Sequence, residues 1–289
     1  MSSQWRNFLR NQGEWRGSFT SLSAAGVELD STPSILSLEP AEEDRLVRFH
    51  LRRYAAGALD GEPTREVRTD YRTLGRQVVF FDSGSFSKGS LQIAPNTASG
   101  AEFGFIHGDR RFRLVQLFTE AGGFDGHVLI REFRTGSGAR ERPVLRPEHL
   151  LGRWQGEGAT ISADWPVPEL RSVQMEVQRE APGQLRIETQ DREERTLLLC
   201  HGPVAAEGGE EAVGPAAGAR LRVDGANPGL LQCLADGGYS LIPEQISHRQ
   251  AFVVEAGWMV ADDRLERLIR RYDASGAWLS ASHEVLTRL

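Results

Sequence analysis

Arginine is the residue from which chemistry in this chain has to be built. Lys88 is the only lysine among 34 lysines and arginines, so Schiff-base chemistry has a single candidate. A guanidinium stays charged and presents a rigid fork of donors, which suits it to gripping carboxylates inside a cavity; a GC-rich coding bias accounts for the same preference without any function. Two stretches concentrate the interest. Residues 109–118 and 263–272 align without a gap at an offset of 263 − 109 = 154, and each mixes charged and apolar residues on both faces of an extended chain. One parity holds Phe112, Leu114, Gln116 and Phe118 with Glu266, Leu268, Arg270 and Tyr272; the other holds Arg113, Val115 and Leu117 with Arg267, Ile269 and Arg271. A strand lining only a packed core excludes arginine, because an unpaired buried charge is too costly. Either these arginines lie outside, or one reaches into a wet cavity. In the second case Arg113 and Arg267 are anion anchors, with Trp258 and Tyr239 as stacking walls for an aromatic or polyene ligand.

Other reactive residue types show no catalytic pattern. The seven histidines, His50, His107, His127, His149, His201, His248 and His283, lack His-x-x-x-His and His-Glu-x-x-His spacing, so no metal site is expected. Cys200 and His201 are adjacent, and a strand sends neighbours to opposite faces, which works against a thiol–imidazole dyad. The glycine-rich run 84–90 lacks a lysine after its second glycine and is followed by β-type sequence, so it reads as a hairpin edge rather than a phosphate loop. No Gly-x-Ser-x-Gly elbow or dinucleotide fingerprint occurs. The carboxylates Glu42-Glu43-Asp44 and Glu193-Glu194 fall at expected turns. No catalytic residue is assigned.

The elements that position these side chains follow from a duplication. Gly13-Glu14-Trp15 and Gly152-Arg153-Trp154 each open a β-rich run that closes on an arginine, Arg134 and Arg288. The 154-residue offset also pairs Gly122 with Gly276 and Phe124 with Trp278, a register kept through a strand, a turn and the next strand. Short extended runs punctuated by Gly, Pro, Asp, Asn and Ser predict eight to ten antiparallel strands per repeat. The expected fold is all-β, two tandem antiparallel barrels, each preceded by a short helix: one near 2–11, the other beginning at Pro147. The expected division is a first barrel over 1–134, a linker over 135–147 and a second barrel over 148–289. Residues 202–218, of low complexity, read as a surface insertion or a flap over a barrel mouth.

A net charge of −6 and a pI near 5.7 argue against nucleic-acid binding. The N-terminus lacks the apolar core of a signal peptide and no stretch approaches the ~18 apolar residues of a membrane span, so a cytoplasmic protein without membrane spans is expected. Two cysteines, Cys200 and Cys233, cannot make a disulfide framework.

The Gly-x-Trp openings, all-β body and closing arginines resemble the calycin superfamily, whose lipocalins pack a first-strand tryptophan against a last-strand arginine at the closed end. The resemblance implies two structural stacks, Trp15 on Arg134 and Trp154 on Arg288. The runs Phe86-Ser87-Lys88-Gly89-Ser90-Leu91-Gln92 and Gly108-Asp109-Arg110-Arg111-Phe112-Arg113, with the last strand, look like an uncharacterised lipocalin-like family from oxygenic phototrophs, itself distantly similar to the S-type phycobiliprotein lyases. That implies a cofactor-free protein binding a small hydrophobic or tetrapyrrole-like, pigment-like ligand in a barrel cavity. The alternatives are a bilin lyase or chromophore-attachment chaperone, with a phycobiliprotein as partner, and a ligand-free protein–protein scaffold whose barrels are filled.

Overall fold

Strand covers most of the described residues, and most of its backbone donors and acceptors are spent on neighbouring strands. The computed structural model describes residues 3–57, 61–164, 167–191, 194–202 and 215–289. After helix α1 (Ser3–Leu9) come β1 (Gly13–Ser23), β2 (Glu28–Ala41), β3 (Leu46–Arg53), β4 (Arg65–Tyr71), β5 (Val78–Phe80), β6 (Phe86–Gly89), β7 (Ser99–His107), β8 (Arg110–Phe118) and β9 (Phe124–Arg134). A single 3₁₀ turn, Pro147–Leu150, then leads into β10 (Gly152–Ser162), β11 (Glu169–Ala181), β12 (Gln184–Asp191), β13 (Glu194–His201), β14 (Ala217–Val223), β15 (Gly229–Leu234), β16 (Gly238–Pro243), β17 (Phe252–Ala261), β18 (Arg264–Tyr272) and β19 (Trp278–Arg288).

Strands β10 to β19 close into a ten-stranded antiparallel barrel, while β1 to β9 form a nine-stranded sheet in the order β4-β3-β2-β1-β9-β8-β7-β6-β5. The first repeat is thus a half-barrel, open between β4 and β5. A free edge leaves unpaired backbone groups, and α1 supplies part of what is missing: the Gln4 side-chain amide donates to the Phe80 carbonyl at 2.9 Å and accepts from the Phe80 N–H at 2.7 Å, as a neighbouring strand would. The same helix drops Trp5 and Phe8 into the half-barrel's own apolar cluster with Leu38, Val47, Phe80 and Phe86. Most of segment 202–218, namely 203–214, lies outside the described residues.

Both repeats are tied at the base in the same way. The Arg134 guanidinium sits 4.3 Å from the Trp15 ring centroid and that of Arg288 sits 4.2 Å from Trp154. Each indole N–H donates, at 2.9 Å, to a carbonyl four residues back, Asn11 and Leu150.

The largest apolar cluster belongs to neither interior. It lies between the outer walls of the two sheets and joins Phe103, Phe105, Phe112 and Leu114 to Val254, Ala256, Trp258, Leu268 and Tyr272. The interface is arranged about an approximate two-fold, with several of its bonds answered by a repeat counterpart. Ile93 N–H donates to Gly276 O at 2.8 Å and Ile246 N–H to Gly122 O at 2.9 Å; Trp278 N–H donates to Leu91 O and Phe124 N–H to Glu244 O. Gln116 Nε2 donates to Ser240 Oγ at 2.8 Å, and Arg270 Nη1, 154 positions on, reaches Ser87 Oγ at 3.5 Å. The outward parity of β8 and β18 is therefore buried against the other repeat, as a homodimer face would be.

Candidate functional site

Arg113 and Arg267 both point inward, and each is built into the same small module. Two residues on β7 and β17, Glu102 and Glu255 (255 − 102 = 153), face them across the strand pair: Arg113 Nη1 donates to Glu102 Oε1 at 2.9 Å, and Arg267 makes two bonds to Glu255, at 2.8 and 2.9 Å. Beside each pair an aromatic ring lies flat on a glycine. Phe86 covers Gly104 and Tyr239 covers Gly257, where a Cβ would meet the ring at 2.1 and 2.0 Å. Only glycine permits that approach. Arg267 also bonds Glu284 at 2.9 Å, and the Tyr239 hydroxyl donates to Glu255 at 2.5 Å. Burial opposes the charge on Arg267, yet Glu255 and Glu284 outweigh it and hold the guanidinium well above its ordinary value; burial and Glu255 push the Tyr239 phenol up.

What separates the two modules is the space beside them. In the barrel the cavity touching Tyr239, Glu255 and Arg267 has a volume of about 20 Å³, room for roughly one water. Leu150, Met175, Ile187, Leu231 and Leu265 fill the rest. Arg267 and Tyr239, expected as an anion anchor and a stacking wall, come together but are satisfied by protein groups and have no room for a ligand. Trp258 is not in the barrel interior at all: it is fully buried in the interface, stacked on Phe112 at 5.8 Å, with its N–H on Asp236 O and the Arg110 guanidinium 4.8 Å from its ring. The expectation treated its strand face as a cavity wall, but that face packs on the other repeat.

In the half-barrel a cavity of about 280 Å³ remains, lined by Phe8, Leu38, Phe49, Tyr71, Phe80 and Phe86, with Arg111, Arg113, Glu102 and Lys88 at its polar end. Arg111 stands where the barrel has Leu265, and Glu132 where it has Leu286. Arg111 and Arg113 both bond Glu132, at 2.8 Å and at 3.1 Å. Burial would raise the Glu132 carboxyl, but the two guanidinium groups hold it to about 2. For Arg113 burial is outweighed by Glu132 and Glu102 and the value rises; for Arg111 burial prevails and the value falls. Arg111 spends one face on the Trp15 ring, 4.7 Å away, and its Nη2 has no hydrogen-bond partner among the described residues although the residue is 2% exposed. A buried donor left unmade costs ~1–3 kcal/mol, so an acceptor delivered by a ligand would recover that cost. The charges themselves balance, two arginines against two glutamates.

Lys88 has a side chain half exposed at this polar end, 3.6 Å from Glu102. Cys200 is buried in the barrel, its thiol raised by burial to about 12, while His201 pairs with Asp224 at 2.6 Å. Arg111 and Glu132 escaped the sequence reading although the 154-residue offset marks them: a charge pair replaces a leucine pair at matched positions.

Comparison with known proteins places the chain. A family model described as a domain of unknown function, DUF3598, N-terminal, matches residues 1–137, and one described as Biogenesis factor required for ATP synthase 1, C-terminal domain, matches residues 141–288. A crystal structure of a protein of unknown function from the DUF3598 family of Nostoc punctiforme is 33% identical over 100% of both chains, with a TM-score of 0.86. The S-type phycobiliprotein lyase CPES from Guillardia theta is 14% identical over 50% of this chain and 90% of its own, with a TM-score of 0.35. Among curated proteins nothing matches. No helix among the described residues is long and apolar enough to cross a membrane.

Proposed function

This chain belongs to the DUF3598 family, and on that premise we propose that its half-barrel is a small-molecule binding site for a hydrophobic ligand carrying one hydrogen-bond acceptor. The observation that carries the reading is the unpartnered Arg111 Nη2 beside an aromatic-lined space of about 280 Å³. Such a volume lies just under the ~300 Å³ at which drug-sized sites begin, so the ligand is closer in size to a small terpenoid ketone than to a tetrapyrrole. Because Glu102 and Glu132 already neutralise Arg111 and Arg113, a neutral carbonyl serves as well as an acid.

β-Ionone, an apolar ring bearing one ketone, is the probe. It is expected to bind by calorimetry, with affinity reduced about tenfold or more in Arg111→Met, the worth of a hydrogen bond to a charged donor, and abolished in Leu38→Phe, which fills the cavity. If β-ionone and a panel of small apolar aldehydes, ketones and acids all fail to bind, or bind the variants equally well, the cavity is structural.

One observation favours a second reading. The barrel is packed solid, as suits a scaffold that works through its outer surface, and residues 141–288 match a model named for an ATP synthase biogenesis factor. That reading makes the protein an assembly factor whose partner is an ATP synthase subunit, and cross-linking in the native cell tests it: adducts to any other protein, or none, count against it.

A further inference from the structure

A large hollow lies outside both β-interiors. It is a cleft of about 790 Å³ between the half-barrel and the barrel, floored by Leu74, Val79 and Ile161 and walled by Trp5 and Trp278. Segment 73–78 separates it from the half-barrel cavity, since Thr73, Leu74, Gly75 and Val78 line both.

The polar groups around the cleft are mostly cationic. Arg45, Arg72 and Arg76 line it together with Asp44. Arg72 is committed to Glu42 through two bonds, at 2.6 and 2.8 Å, and Arg45 lies 3.6 Å from Glu43. Arg76 has no carboxylate within ion-pair distance among the described residues. A second positive charge stands behind the wall. Arg270 is fully buried with its guanidinium 4.6 Å from the Trp278 ring, and its partners are neutral: the Tyr272 and Ser87 hydroxyls and the carbonyls of Gly89 and Ser90. Burial lowers its affinity for the proton without removing the charge. Trp278, 8% exposed, has an indole N–H with no acceptor among the described residues. A buried cation normally has a carboxylate beside it; here the indole that Arg270 faces is itself a wall of the cleft.

We propose that this cleft binds an amphipathic long-chain carboxylate, its chain on Leu74, Val79, Ile161 and the two indoles and its carboxylate at the Arg76 side, in the positive field that Arg270 projects through Trp278. The site is distinct from the half-barrel cavity and takes a longer, charged ligand.

cis-Parinaric acid and its methyl ester test it on the full-length protein. The acid accepts energy from tryptophan, so its sensitised emission reports affinity, and the share lost in Trp278→Phe reports proximity to that ring. The acid is expected to bind at least tenfold more tightly than the ester. Arg76→Glu should weaken the acid about tenfold or more and leave the ester unchanged, and Trp278→Phe should lower sensitised emission while the protein stays folded by circular dichroism. Leu38→Phe, which blocks the half-barrel, should change nothing, which keeps failure here separate from failure of the β-ionone site. Equal binding of acid and ester, or an Arg76→Glu variant that binds the acid like the native chain, overturns the proposal. So does loss of the acid in Leu38→Phe, which would place it in the half-barrel.

Discussion

Replacing Glu132 by the leucine found at its repeat counterpart tests whether the half-barrel's polar base is one coupled unit. Glu132 receives the Arg111 guanidinium at 2.8 Å and that of Arg113 at 3.1 Å, and both glutamate and Arg111 are buried to 2% exposure or less. In Glu132→Leu, Arg113 keeps Glu102 but Arg111 loses the one carboxylate it bonds among the described residues, so the cost should approach the ~3–5 kcal/mol of a broken buried pair. Arg111→Leu leaves Glu132 with Arg113 and should cost ~1–3 kcal/mol, counting the lost contact with Trp15. The double variant reproduces the Leu265/Leu286 pairing that the barrel already accommodates, and should lie within ~2 kcal/mol of the native chain. The coupling energy is then at least ~2 kcal/mol, well beyond what independent sites show. Urea unfolding followed by tryptophan fluorescence and far-ultraviolet dichroism measures all four corners of the cycle. Additive single costs would mean that the ion pairs are independent and that the two repeats do not share a base plan.

Acid should destabilise the protein in two successive windows. Burial, with Arg220 as the lesser cause, holds the interface residue His127 down to about 3, so the unfolded chain binds its proton first; the stability this residue contributes is whole above ~6.5 and drains as pH falls towards 3, by ~2 kcal/mol at pH 5. His127→Gln should abolish that early loss, and an unchanged slope between pH 7 and 5 in denaturation curves would refute the assignment. Glu132, depressed to about 2, contributes stability that is present above ~4.5 and is lost as pH falls through 2; Arg111→Leu/Glu132→Leu should lose less stability than the native chain across that range. Gly257→Ala should cost more than Gly104→Ala by ~1–2 kcal/mol, because the Tyr239 ring has nowhere to go while the Phe86 ring can swing into the half-barrel cavity; thermal unfolding of the two variants reads the difference, and equal costs would mean that the cavity cannot absorb the ring.

The repeat was plain in the sequence because a strand, turn and strand kept register, and from it came the all-β architecture and the paired positions Trp15/Arg134 and Trp154/Arg288. Two things were not legible. The opening between β4 and β5 depends on tertiary pairing that strand periodicity does not encode. The placing of Trp258 failed for a sharper reason. Alternation along β17 separates two faces but does not say that both are buried, one inside a barrel and one against the other repeat. The same ambiguity governs the arginines, which alternation alone divides between an outside and a wet cavity. Arg113 and Arg267 turn inward onto carboxylates, whereas Arg270, on the opposite parity, is buried at the interface without one.

That interface explains why the two interiors could diverge. The two-fold set of bonds fixes the outer faces of β7, β8, β17 and β18 and the turns that flank them, so a change there is felt in both repeats at once. Positions on the inner faces carry no such constraint. Arg111 and Glu132 can face Trp15 in one copy while Leu265 and Leu286 fill the other, and Phe86 can border a hollow where Tyr239 plugs one. A closed, filled barrel presents a stiff wall, and a half-barrel packed against it can stay open between β4 and β5 without losing the support that closure would otherwise provide. The division makes a directional claim: packing defects made inside the barrel, such as Leu231→Ala, should weaken β-ionone binding in the half-barrel through the shared wall, whereas filling the half-barrel with Leu38→Phe should leave amide exchange in β17 and β18 unchanged. Were exchange in those two strands to quicken instead, the half-barrel would be supporting the barrel and the order of dependence would be reversed.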